Sequence, residues 1–153
     1  MKVLLAIDGS SYSADAVRAV AAHPWPPGTV VKVLTAVEAL IPTGPDIWFG
    51  VAGESTLELA RREMTKQATR LVTGVAETMQ ASGLAVETAV VNGDPRSVIV
   101  DQAEEWAADL IVVGSRGTTG LKRFLLGSVA QSVVSYAPCS VAVVRGKQQP
   151  GSG

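Results

Sequence analysis

The sequence holds a single cysteine, Cys139, and a single histidine, His23. One thiol forms no internal disulfide, which fits a reducing compartment. Cys139 follows a proline and precedes an apolar run, so it is read as structural. His23 falls between the first helix and a proline turn, at the end of the domain away from the expected site, which excludes a histidine-based triad. Neither sign of charge prevails: 13 basic residues stand against 14 acidic ones, with no basic block, and this argues against DNA or RNA as a partner. No apolar run reaches the roughly 18 to 20 residues needed to span a bilayer. Lys2 leads straight into a strand without a cleavable signal pattern, so a cytoplasmic protein is expected. The carboxylates of Asp101, Glu104 and Glu105 read as a solvated helix face and not as a metal cluster. Also missing are G-x-x-x-x-G-K-[ST] and G-x-G-x-x-G, the two common phosphate loops. Apolar residues are abundant, at 47% of 153 residues, enough for one domain with a core of its own.

The most informative stretch runs from Asp109 to Ser128. Leu110 to Gly114 reads as a fully buried strand, after which glycines recur at 114, 117 and 120, and Gly127-Ser128 follows about two helical turns later. Glycine permits positive φ and close backbone approach, so such a loop can turn successive N–H groups inward as an anion cradle. Ser128-Val-Ala-Gln131 has the S-x-x-Q form of a capping box and opens an apolar run at helical spacing. A helix N-terminus, with its partial positive charge, is therefore expected at the same place.

Gly114 and Gly117, followed by nine residues and then Gly127-Ser128, closely resemble the ATP-binding signature of the universal stress protein family. The opening Val3-Leu-Leu-Ala-Ile-Asp-Gly-Ser10 and the closing Ala137-Pro-Cys-Ser-Val-Ala-Val-Val144 are similar to that family as well. The resemblance covers roughly residues 2 to 145.

Taken in order, the chain alternates strands and helices. An apolar strand ends at Asp8; Ser11 or Ser13 caps a helix to about Ala22, and Pro24 stops it. Trp25 is read as packing at the bottom of the domain. Thr29 to Val37 is β-branched and reads as a strand. Residues 39–53 form a loop with Trp48 and Phe49, either a lid or partner contact or, more simply, a loop pinned to the domain. Ser55-Thr-Leu-Glu58 reads as a capping box for a long helix to about Ser82. Its apolar stripe, Leu57, Ala60, Met64, Ala68, Leu71, Val75 and Met79, reads as core. Leu84 to Val91 is the next strand, and Asp94 caps a helix with Pro95 at its first position. After the glycine loop and a last helix, Val141 to Val144 is a fifth strand. Residues 1–146 are expected to form one domain and 147–153 a polar tail.

Such alternation implies a doubly wound α/β fold with helices on both faces, and the resemblance implies a five-stranded parallel sheet in the order 3-2-1-4-5. It also implies a cofactor-binding set of Asp8, Val37, Gly114, Ser115, Arg116, Gly117, Gly127, Ser128 and Val129. In that set Asp8 meets the ribose or adenine, the Val37 backbone reads the adenine edge, and the loop amides hold phosphates. The alternative for Asp8 is a turn aspartate bonded to nearby N–H groups. The implied ligand is ATP, or AMP or ADP, with Mg2+ carried by the phosphates. An edge strand of valines left open would expose backbone and apolar groups, and a homodimer through 141–144 closes it. No catalytic residue can be assigned. Three functions stay open: a nucleotide-dependent regulatory or stress-response protein with an unknown protein partner, a nucleotide-independent dimeric interaction module, and a slow ATPase or adenylyl transferase.

Overall fold

A computed structural model of the chain describes residues 1–39, 54–116 and 125–146. Trp48 and Phe49, the loop residues Gly117, Gly120, Lys122 and Arg123, and the tail 147–153 lie outside the described residues. The elements are β1 (Lys2–Ala6), α1 (Ser11–Ala22), β2 (Val30–Val37), α2 (Glu54–Ala81), β3 (Ala85–Asn92), α3 (Pro95–Trp106), β4 (Leu110–Gly114), α4 (Ser128–Tyr136) and β5 (Ser140–Val144). The strands form one parallel sheet in the order β3-β2-β1-β4-β5. Parallel strands joined through crossover helices are covered on both faces, which explains why β1 and β4 read as continuous apolar runs instead of alternating.

Two apolar layers flank the sheet. On one face Val3, Leu5, Val31 and Val33 pack with Ala16 and Val20 of α1 and Val72 and Met79 of α2. On the other, Leu4, Leu34, Ile111 and Val113 pack with Val98, Ile99 and Ala103 of α3 and Ala130 and Val133 of α4. Trp25 lies against the first layer, and its indole Nε1 donates to the Val20 carbonyl at 2.8 Å. Cys139 packs against the second layer, where burial, and then the nearby Asp109 charge, push its thiol pKa up and favour the protonated thiol.

Three helix starts differ from the sequence reading. The cap of α1 is Ser10, not Ser11 or Ser13: the Asp8 Oδ1 accepts from Ser10 N at 2.9 Å, and this turn aims the Ser10 hydroxyl at Ser13 N, 3.2 Å away. Ser13 is instead buried inside the first turn. Helix α2 runs from Glu54, which places Ser55 inside its first turn instead of before it. At α4 no serine capping box forms. The N-cap is Gly127, without a side-chain cap bond, because its N–H is drawn to the Ser115 carbonyl at 2.8 Å and the helix begins one residue early. Asp94 does cap α3, with Pro95 next, as expected.

Gly114 ends β4 where the first turn of α1 crosses it. A Cβ built at Gly114 would stand 2.7 Å from both the carbonyl carbon and the oxygen of Tyr12, backbone atoms that cannot rotate aside. Substituting Gly114→Ala should therefore lower unfolding stability by about 1–3 kcal/mol through overpacking, read from the urea midpoint against wild type. An unchanged midpoint would mean that α1 moves away from β4 at no cost.

Candidate functional site

The site opens where β1 and β2 part. Their last rung is Ile7 N to Leu34 O at 2.9 Å. Register alone would next pair Ala36 with Asp8, but the buried Thr35 hydroxyl donates to the Ile7 carbonyl at 2.7 Å and takes the acceptor that Ala36 N would use. β1 turns away at this point, and β2 continues alone on that side to Val37. The space left is a cleft of about 600 Å³ at the carboxyl ends of β1, β2 and β4, with α2 as one wall and the start of α4 at its far end. Doubly wound sheets collect ligands at this edge.

The structure brings six of the expected residues to the cleft: Asp8, Val37, Gly114, Arg116, Ser128 and Val129. Ser115 and Gly127 are buried behind it, tied to each other and, through Ser115 N, to the Val144 carbonyl at 2.9 Å. Those bonds fix the geometry of β4's end and α4's start relative to each other. Gly117 lies outside the described residues. Asp8 is exposed, and its Oδ1 makes the turn bond to Ser10 N. That is the alternative the sequence left open for it, and the carboxylate still faces the cleft.

Successive residues of a parallel strand direct their backbone groups to opposite neighbours. The Val37 carbonyl accepts from Gly93 N at 2.9 Å, so the backbone edge of Val37 is turned toward β3. The backbone edge of Ala36 is turned the other way, toward the space β1 has left. Among the described residues, neither its N–H nor its carbonyl bonds to β1 or the turn after it. A donor and an acceptor held side by side on a rigid strand can read the paired edge of a planar heterocycle.

Charge is divided along the cleft. Asp8 and Glu38 lie at the β1–β2 end, whereas Arg116 is the single cation among the described lining residues, near Ser128 and Val129. With no side-chain cap on α4, the partial positive charge of its first turn faces the same space as Arg116. The guanidinium lies 5.7 Å from the centre of the Tyr12 ring.

Sequence reasoning missed one wall altogether. Met64, Gln67 and Leu71 of α2 line the cleft, together with Pro95 and Ile99 of α3. The period of the α2 stripe predicts core, but it does not distinguish a residue facing the sheet from one overhanging its end. Length offered the only signal: α2 has 28 residues and β2 has 8, so at about 1.5 Å and 3.3 Å per residue the helix must overreach the strand. Close to the cleft, Asp94 is held below the usual carboxylate range by the Arg96 side chain and then by the Arg96 N–H, and Arg96 is raised in turn by Asp94. Both lie at the surface, where the pair fixes the first turn of α3 and adds little else.

Comparison with known proteins shows the family and the fold. The model of the universal stress protein family matches residues 1–145. The chain belongs to that family. Universal stress protein YxiE of Bacillus subtilis is 34% identical over 145 residues, covering 94% of this chain and 98% of its own. The solved structure of hypothetical protein MJ0577 superposes with a TM-score of 0.82 at 26% identity over 97% of each chain. A universal stress protein in complex with cAMP superposes at 0.57, with 25% identity over 95% of this chain and 96% of its own. An Arabidopsis thaliana member with AMP bound shares the fold, with a TM-score of 0.63 at 18% identity over 99% of this chain and 97% of its own. Among the described residues, no helix is long and apolar enough to cross a membrane.

Proposed function

We propose that this universal stress protein binds an adenine nucleotide, ATP or its shorter relatives AMP and ADP, in the cleft, and acts in the cytoplasm as a nucleotide-dependent regulatory protein of the stress response. The observation that carries the reading is the cleft's polarity, with a carboxylate at one end, a helix N-terminus without a side-chain cap and an arginine at the other, and between them a backbone edge that bonds to no strand among the described residues. A nucleotide has the matching order of groups. Its ribose hydroxyls are donors for Asp8, its base edge suits the backbone of Ala36, and its phosphates suit Arg116 and the N–H groups of Ser128 and Val129. The base reader is thus Ala36 and not Val37, because the Val37 carbonyl is already engaged with Gly93. Gly114, Ser115 and Gly127 act through shape: they let α1 and the start of α4 come close to the end of β4. Gly117 is assigned from the glycine motif. The cAMP complex of a relative supports an adenine ligand in the family. Mg2+ would travel with the phosphates, since a triphosphate brings its own oxygen ligands.

The same reading includes a homodimer. β5 is an edge strand with half-buried Val141, Val143 and Val144, and Val134 and Tyr136 of α4 are exposed beside it. Pairing of β5 with its copy would satisfy the open edge. Light scattering at micromolar concentration should give twice the mass of the chain, and a monomer under those conditions would remove the dimer.

The nucleotide itself is tested by denaturing protein purified without added nucleotide and identifying what is released by mass spectrometry, with Gly117→Val alongside. ATP, ADP or AMP from wild type and none from the variant is the expected result. Wild-type protein that releases nothing, and takes up no ATP at millimolar concentration, would sink the reading.

A further inference from the structure

We propose that Tyr12 is a positioning residue whose ring holds the Arg116 guanidinium ready at the positive end of the cleft, so that the protein favours phosphorylated ligands over the bare nucleoside. The inference rests on the nucleotide reading above and adds a residue that neither the sequence motif nor the cleft lining contains.

The backbone leading into Arg116 is fixed on both sides. Ser115 N donates to Val144 O at 2.9 Å, and Ser115 O accepts from Gly127 N at 2.8 Å. The Arg116 side chain beyond it is long and rotatable, and an arginine free to wander loses rotamer freedom when it docks on an anion. Here it rests on the Tyr12 ring at 5.7 Å, within the range of cation–π attraction. The backbone that carries the ring is fixed: Tyr12 lies in the first turn of α1, which is capped by Ser10 and whose Tyr12 carbonyl is pressed against Gly114 so closely that no side chain fits between.

The choice of partner matters. Among the described residues the ion pairs are Arg18 with Asp15, Arg62 with Glu58 and Arg96 with Asp94, and Arg116 is in none of them. A carboxylate would occupy the guanidinium N–H groups and cancel its charge. An aromatic ring attracts the cation but takes no in-plane hydrogen bond, so the donor fork and the full charge remain for a phosphate. Any preference arising this way depends on the ring and not on the tyrosine hydroxyl.

Calorimetric titration of ATP and of adenosine into wild type, Tyr12→Phe, Tyr12→Leu, Arg116→Gln and the double variant Tyr12→Leu with Arg116→Gln tests it. Arg116→Gln should weaken ATP about tenfold and leave adenosine unchanged. Tyr12→Leu should weaken ATP about two- to fivefold, again sparing adenosine, and Tyr12→Phe should match wild type. In the double variant the Leu substitution should cost nothing further. Equal losses for ATP and adenosine in Tyr12→Leu, or additive losses in the double variant, would overturn the positioning role while leaving the nucleotide reading intact. Wild type that binds neither ligand overturns both. Should Tyr12→Leu fail to fold, the ring-current shift of the Arg116 side-chain protons in wild type decides, and its absence overturns the proposal.

Discussion

The hydrogen bond from the Thr35 hydroxyl to the Ile7 carbonyl, 2.7 Å long and buried, marks the place where a continuous sheet becomes a site. It takes the acceptor that the next rung between β1 and β2 would use, and it does so with a side chain, leaving the Ala36 backbone without its strand partner. A buried carbonyl left unpaired costs on the order of 1–3 kcal/mol, so the chain can part here only because Thr35 satisfies the group that the parting exposes. Everything polar in the cleft is arranged around this separation. Asp8 follows it on β1, Ala36 stands across from it on β2, and β4 on the other side of β1 delivers Gly114 and Arg116.

The far end of the cleft depends on a second set of bonds. Ser115 ties β4's end to Val144 of β5 through its N–H and to Gly127 through its carbonyl, and this draws the start of α4 up to the end of β4. The early start removes serine as a cap. A helix N-terminus left uncapped beside an arginine is unfavourable in isolation, because it gathers positive charge without an anion, and it becomes favourable when an anion is present. Among the described residues, strand pairing and helix capping thus each leave backbone groups without partners within one cleft, at its opposite ends. Membership of the universal stress protein family accounts for the fold, and the proposed nucleotide is the occupant whose groups would match this division of charge.

Much of this was legible in the residues. Apolar runs ending in Asp8 and Gly114, the β-branched Val30–Val37 and the Asp94-Pro95 start gave the strands and helices, and the glycine spacing with its family resemblance gave the sheet order. Asp8, Arg116, Ser128 and Val129 do meet at one cleft. What was not legible falls into two kinds. Cap positions slipped by one residue at Ser10 and Gly127, because a capping serine is chosen by where neighbouring backbone groups are anchored, and those anchors, Asp8 Oδ1 and Ser115 O, are not properties of the local spacing. The direction of a backbone edge is likewise silent in sequence. Val37 and Ala36 are indistinguishable as strand residues, and only the bond from Gly93 N shows which of them turns its backbone edge toward the space beside β1.

The most direct test of the cleft is an amide chemical-shift titration with ATP. The account predicts large, saturable shifts at Ala36, Ser128 and Val129, with amides at the opposite end of the sheet, Trp25 and Gly83, unmoved. Shifts that cluster at Trp25 and Gly83, or that spread evenly without saturating, would contradict it.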